Sequence, residues 1–236
     1  MKKILPICMA LVITPAFAET GTQDVYKNTN SGVSARIFVG GNLGITGIAW
    51  SDDVKDGVDY SFGAELPDAT WGLGAELGVR IGNPNKIYNF GFTGAYDYMF
   101  NAEADISNSY NRGYYDTYGG LVPSSDIFSE IDTGFSALSL TFDNYIRVIK
   151  GYNTRSDIVA GIGLGNATER VKVRIFDGTT MDYDDDDMVV VLKVGYNWGI
   201  MENLDVAFIG RWFIPTTSDS DVDATFTLSA GIKYTF

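Results

Sequence analysis

From Ala224 to the C-terminus the chain alternates without a break. The even positions are Ala224, Phe226, Leu228, Ala230, Ile232, Tyr234 and Phe236, and the odd ones are Thr225, Thr227, Ser229, Gly231, Lys233 and Thr235. A strand sends successive side chains to opposite faces, so this segment has one apolar and one polar face. A water-soluble sandwich uses such a strand once. Here the pattern recurs seven times upstream.

Period two predicts these segments, each given by its apolar set. The first carries Ala35, Ile37, Val39, Leu43 and Ile45; the second Trp71, Leu73, Ala75, Leu77, Val79 and Ile81. The third has Tyr88, Phe90, Phe92, Tyr96, Tyr98 and Phe100; the fourth Leu138, Leu140, Phe142, Ile146 and Val148, interrupted by Asn144. The fifth has Ile158, Ala160, Ile162 and Leu164; the sixth Met188, Val190, Leu192, Val194, Tyr196 and Trp198; the seventh Leu204, Val206, Phe208, Trp212 and Ile214.

The connections alternate in length. Short, turn-rich links fall at Gly82-Asn83-Pro84-Asn85, at Gly151-Tyr152-Asn153-Thr154 and at Met201-Glu202-Asn203. Those at 51–68, 101–132, 170–187 and 216–222 are longer and mostly acidic, and read as loops. Short turns on one side and long loops on the other, with apolar-out alternation, predict an all-β, eight-stranded antiparallel up-and-down transmembrane β-barrel. Ten strands stay open, because 101–132 or 170–187 has room for another pair. The register also sorts aromatics by depth: Tyr88, Tyr196, Trp198, Tyr234 and Phe236 at the short-turn end, and Trp71, Tyr98, Phe100 and Trp212 at the loop end. An interfacial belt is expected to look like this.

The chain begins with Lys2 and Lys3, an apolar stretch from Ile4 to Ile13, and Ala16-Phe17-Ala18 before Glu19. This reads as a cleaved secretory signal over residues 1–18, too short to span a bilayer as a helix. Residues 19–33 then form a periplasmic N-terminal segment and 34–236 the barrel. The single cysteine, Cys8, falls within the signal, so no disulfide or Cys-based metal site is expected in the mature chain. Removing Lys2 and Lys3 leaves 15 basic against 30 acidic residues, which argues against a nucleic-acid partner. Mean hydropathy is close to zero, as thinly spread alternation requires.

The inward positions carry many glycines, among them Gly40, Gly44, Gly74, Gly161 and Gly163, and ten charges: Arg36, Glu76, Arg80, Asp97, Asp143, Arg147, Lys193, Asp205, Arg211 and Lys233. Eight strands leave room only for side chains to fill the interior. Charges in that space are expected to pair, with Arg80, Arg147, Lys193, Arg211 and Lys233 each within reach of Glu76, Asp97, Asp143 or Asp205. Two readings stand: a plug of salt bridges, or a charge-lined path for small solutes.

No histidine occurs in the chain. Without the commonest general base, and with the inner carboxylates facing bases, no enzyme activity and no cofactor are expected. The run from Asp182 to Asp187 offers hard oxygen ligands suited to Ca²⁺. Consecutive aspartates on an extended chain point apart, however, so a solvated external loop is expected there; the preceding Val171–Ile175, then Asp177-Gly178, reads as strand plus turn, a hairpin expected to rise above the membrane. The loop after the third strand holds Tyr110, Tyr114, Tyr115, Tyr118 and Phe128, a composition shared by recognition surfaces and by loops folded over a barrel mouth.

At the level of the whole pattern, from Ser34 to Phe236, the chain resembles the small outer-membrane β-barrel family of opacity-type proteins and the OmpA membrane domain. The most specific item is Ile232-Lys233-Tyr234-Thr235-Phe236, which is similar to the C-terminal assembly signal of such barrels. The resemblance implies a cell outer membrane location in a Gram-negative organism and a signal carried by Ile232, Tyr234 and Phe236 to the barrel-assembly machinery. It implies contacts with outer-membrane lipid and lipopolysaccharide, and loops available to host or surface ligands. Unlike full-length OmpA, the chain is not expected to carry a peptidoglycan-binding domain after the last strand. Members differ widely in activity, so the resemblance leaves a structural and surface-interaction role, as adhesin or antigen, beside a narrow porin-like channel. A soluble exported barrel for a small hydrophobic ligand is a third reading, opposed by the continuous apolar faces.

Overall fold

The computed structural model describes residues 32–236 apart from 63–64, 84–85, 106–112, 116–120, 124–127, 151–154, 176–178 and 218–219. The signal, most of the N-terminal segment, Tyr110 and Tyr118 therefore lie outside the described residues. The elements are β1 (Ser34–Trp50), α1 (Asp52–Phe62), β2 (Ala69–Gly82), β3 (Tyr88–Asp105), β4 (Gly113–Tyr115), β5 (Leu121–Pro123), β6 (Phe128–Lys150), β7 (Arg155–Ile175), β8 (Thr180–Met201), β9 (Leu204–Pro215) and β10 (Val222–Thr235).

Eight strands close into one antiparallel ring in the order β1-β10-β9-β8-β7-β6-β3-β2. Each strand pairs with its neighbour along the chain, and β1 with β10 seals the wall from Phe38↔Thr235 to Ala49↔Ala224. The extra pair left open by the sequence exists as β4 and β5, but it forms a separate two-stranded sheet outside the ring. No described helix is long and apolar enough to cross a membrane.

The register turns the alternating apolar residues outward. Leu43, Trp71, Leu77, Leu138, Leu140, Ile162, Leu164, Leu228 and Ile232 are all exposed. So many large apolar side chains facing outward around a whole wall make an exterior suited to lipid rather than water.

The long connections hold more structure than their composition suggested. Residues 51–68 contain α1, whose start is chemically marked. Ser51 Oγ accepts from Val54 N at 3.4 Å, and Asp52 and Asp53 sit in the first turn, where carboxylates favour the helix dipole. Within 170–187 the expected hairpin arm at Val171–Ile175 is the end of β7, and the aspartate stretch expected as a loop is strand as well: β7 and β8 pair without a slip from Arg155↔Gly199 to Arg174↔Thr180. The aspartate run thus lies within β8. Its side chains alternate as an extended chain requires, with Asp182 and Asp184 pairing outward to Lys172 and Arg170. The wall is consequently lopsided: β6, β7 and β8 have 23, 21 and 22 residues, and β9 has 12.

Candidate functional site: the barrel interior

The interior is filled in three layers. The layer toward the loops is apolar: Ile48, Trp50, Met99, Phe135, Val189, Val191, Phe213 and Val222 form one cluster, joined by Val54 of α1 and by Leu66. Trp50 is 1 % exposed, and its indole N–H donates to Pro67 O at 3.2 Å. The Thr133 hydroxyl donates to the same carbonyl at 2.8 Å, and Ser51 N donates to Asp221 O at 3.0 Å. These bonds tie the β1–β2 connection across the mouth.

The middle layer is ionic and centres on Glu76 of β2. Its Oε1 lies 2.7 Å from Lys233 Nζ, and its Oε2 lies 2.9 Å from Arg211 Nη2 and 3.5 Å from Lys193 Nζ. Lys193 also reaches Asp143 at 2.8 Å, and Arg211 reaches Asp97 at 2.8 Å. The Thr93 and Thr141 hydroxyls donate to the Asp143 carboxylate at 2.6 and 2.8 Å. Lys193 and Arg211 are wall neighbours in register, so two like charges stand side by side and each must find its counter-ion elsewhere. They find it across the lumen. In the ring β8 stands opposite β2, and β9 opposite β3, so Lys193–Glu76 and Arg211–Asp97 each span the full width. Glycines make room for these side chains. A Cβ at Gly40 would lie 3.0 Å from Glu76 Cγ, and one at Gly74 would lie 2.9 Å from Asp97 Oδ1.

The layer toward the short turns is basic. Arg80 Nη1 lies 2.7 Å from Asp157 Oδ2, Arg147 Nε lies 2.9 Å from Asp157 Oδ1, and Arg155 Nη2 lies 2.7 Å from Asp205 Oδ1. Arg36 lies opposite Arg80 in register.

All ten charges read from the sequence therefore face inward, but their partners differ in part from the expected set. Arg80 and Arg147 share Asp157, a carboxylate outside the expected four. Arg155 takes Asp205. Asp157 and Arg155 were missed, although Asp157 precedes the outward Ile158 and so has inward parity. The apolar layer was missed as well. Its signal was present where alternation lapses into continuous runs, Val189-Val190-Val191 and Trp212-Phe213-Ile214, the pattern of a strand buried on both faces.

Beyond the apolar outer band, where outward neighbours are Thr168 and Arg170, the rim is acidic. Glu169 is 4 % exposed with no hydrogen-bond partner on Oε2. Burial, then Asp187 and Asp185, push its carboxyl up to about 8. Burial and the same two aspartates also raise Asp221. Glu103, Glu130 and Asp132 bring carboxylate oxygens within 4.8 Å of one another, the one group among the described residues spaced to hold a metal ion. Arg174 already pairs with Glu130 there and lies 3.9 Å from Asp132.

An eight-stranded ring with an apolar exterior and a packed, ion-paired interior defines a transmembrane β-barrel of the smallest class. Among solved structures, the chain is similar to Ail, the attachment invasion locus protein of Yersinia pestis, with 14 % identity over 86 % of this chain and 99 % of that one and a TM-score of 0.47. It is also similar to Neisserial surface protein A, with 10 % identity, 86 % and 99 % coverage and a TM-score of 0.41. The N-terminal β-barrel domain of Pseudomonas aeruginosa OprF follows, with 9 % identity, 85 % and 97 % coverage and a TM-score of 0.39. No family model matches the sequence, and the comparison with curated proteins finds no match. The fold class rests on the hydrogen-bonded ring itself.

Proposed function

We propose that this protein is an outer-membrane β-barrel with a structural and surface-interaction role and a lumen closed to solutes. The observation that carries the reading is the diametric pairing of Lys193 with Glu76 and of Arg211 with Asp97, beneath the apolar cluster around Trp50. An aqueous path needs a continuous column of water, and both layers occupy that column with side chains. The tall, charged β6–β8 wall and the acidic rim supply the face available to surface ligands. The cleavable signal, the lipid-suited exterior and the terminal Ile232, Tyr234 and Phe236 support insertion in the outer membrane through the assembly machinery. Phe236 extends the seam, its N–H donating to Ile37 O at 2.8 Å, while its ring packs edge-on against Tyr234 at 5.1 Å. A non-enzymatic role is supported by the lack of histidine and by inner carboxylates already held by cations.

Conductance of the purified barrel in planar bilayers tests the closed lumen. No steady ion current is expected from the unmodified protein. A stable open pore whose selectivity shifts with Glu76→Gln would replace this reading with the porin-like one.

A further inference from the structure

The basic layer at the short-turn end is not balanced. In the middle layer Lys193, Arg211 and Lys233 face Glu76, Asp97 and Asp143, so charge cancels. Below it, among the described residues, Arg36, Arg80, Arg147 and Arg155 gather around two carboxylates, Asp157 and Asp205, so bases outnumber acids there. Arg36 feels Arg80, Arg155 and Arg147 as like charges and Asp157 as the opposing one.

The donors of this layer are also incompletely used. Arg80 is 7 % exposed, yet its Nε and Nη2 are buried with no hydrogen-bond partner, and so is the Nε of Arg36. Buried donors left unmade are costly, and the cost is greater for a charged group. Repulsion and unmet donors at the same place both call for an acceptor carrying negative charge.

The basic layer is bounded on one side and reachable from the other. Phe38 and Tyr145, each 2 % exposed, sit one inward step further from the turns than Arg36 and Arg147, and the Arg80 guanidinium stacks on the Tyr145 ring at 4.5 Å. They separate the basic layer from the ionic one. On the other side Arg36 is part-exposed and the Arg155 side chain is 20 % exposed, so the site opens toward the short turns.

We propose that this end of the barrel binds a phosphate group, held by Arg36 and Arg80 and framed by Arg147 and Arg155. Planar guanidinium forks match the tetrahedral oxyanion in paired hydrogen bonds. A phosphate monoester near pH 7 carries close to two negative charges and three acceptor oxygens, which suits a basic layer whose Arg36 Nε, Arg80 Nε and Arg80 Nη2 lack acceptors; a single carboxylate offers fewer acceptors and less charge. The same chemistry is offered by free inorganic phosphate and by the headgroup of phosphatidic acid.

The test uses the full barrel folded in an uncharged detergent, with thermal unfolding followed at constant ionic strength while chloride is replaced by inorganic phosphate. Phosphate is expected to raise the unfolding temperature saturably. Arg36→Gln removes one of two facing like charges, so the variant is expected to fold at least as stably without phosphate and to lose the response. Arg36→Lys keeps the charge without the fork and is expected to bind roughly tenfold more weakly or worse. Arg170→Gln, at an exposed pair with Asp184 on the other side of the lipid band, should respond like the unmodified protein. A second arm compares phosphatidylcholine vesicles with and without phosphatidic acid: stabilisation by phosphatidic acid alone, lost in Arg36→Gln, assigns the site to a headgroup. The proposal is overturned if chloride and phosphate act alike and phosphatidic acid adds nothing, or if Arg36→Gln responds as strongly as the unmodified barrel.

Discussion

Lys233 and Glu76 meet over Gly40. In the ring β1 stands between β10 and β2, and Gly40 is in register with Lys233 on one side and with Glu76 on the other. The ion pair at 2.7 Å therefore bridges three strands at the seam, over a residue with no side chain in the way.

That geometry makes Gly40 a sensitive position. Gly40→Val should force the Glu76 side chain away from Lys233, at a cost of about 1–3 kcal/mol, the usual range for overpacking a filled interior. Unfolding in urea after refolding into detergent measures it. Unchanged stability would show that the pair has slack the distances do not reveal.

Glu76→Gln leaves Lys193, Arg211 and Lys233 without their shared carboxylate in a buried setting. The loss should be about 3–5 kcal/mol, as for breaking other buried pairs. Because repulsion among three cations is the cause, Glu76→Gln combined with Lys193→Met should recover much of it. A double variant no better than the single one would place the cause elsewhere.

Trp50→Ala removes the largest member of the apolar layer together with its bond to Pro67. A destabilisation of about 3–5 kcal/mol is expected. Conductance should nonetheless stay near zero, since the ionic layer below is intact. A conducting Trp50→Ala barrel would mean that the apolar layer alone holds the lumen shut.

Glu169 gives the loop end a pH dependence of definite sign. Its carboxyl is raised from 4.5 to about 8 in the folded barrel. Below about 4.5 it is protonated in both states and its contribution is fully present. Between about 4.5 and about 8 the unfolded chain releases the proton while the folded one keeps it, so stability falls as pH rises and levels off above that window. Glu169→Gln should flatten this part of the profile, as read from unfolding midpoints between pH 5 and pH 9.

Removing Phe236 deletes the N–H bond to Ile37 O and the edge-on contact with Tyr234. Precursor export should continue while insertion fails, seen as loss of the heat-modifiable, membrane-integrated form. Normal insertion would separate the terminal aromatic from assembly.

Outward positions were legible because lipid imposes one rule on every lipid-facing residue, and so Leu43, Leu140 and Leu228 could be placed by parity alone. The inner face obeys no single rule. Charges there announce themselves, but which carboxylate serves Arg80 depends on the reach of side chains across the lumen, and strand parity says nothing about the opposite wall. Val191 and Phe213 look like interruptions of a pattern until they are seen to pack into the Trp50 cluster, on strands whose other face meets lipid. α1 escaped because Ser51-Asp52-Asp53 reads equally as an acidic loop and as a capped helix start.

The unequal strand lengths have a consequence for how copies of this protein meet. The β9 ladder on β8 ends at Val189↔Pro215, Thr216 N donates to Met188 O and the Thr217 hydroxyl to Asp187, and from Asp186 outward β8 has no ladder partner on that side among the described residues. An unpaired strand is a template for another chain's backbone. Here the template is rich in carboxylates: Asp186 is exposed, and Asp182 and Asp184 are exposed beside their partners Lys172 and Arg170, so an identical edge approaching it meets the same arrangement of charge. Exposed carboxylates along such an edge are therefore expected to disfavour rim-to-rim pairing between copies of the barrel.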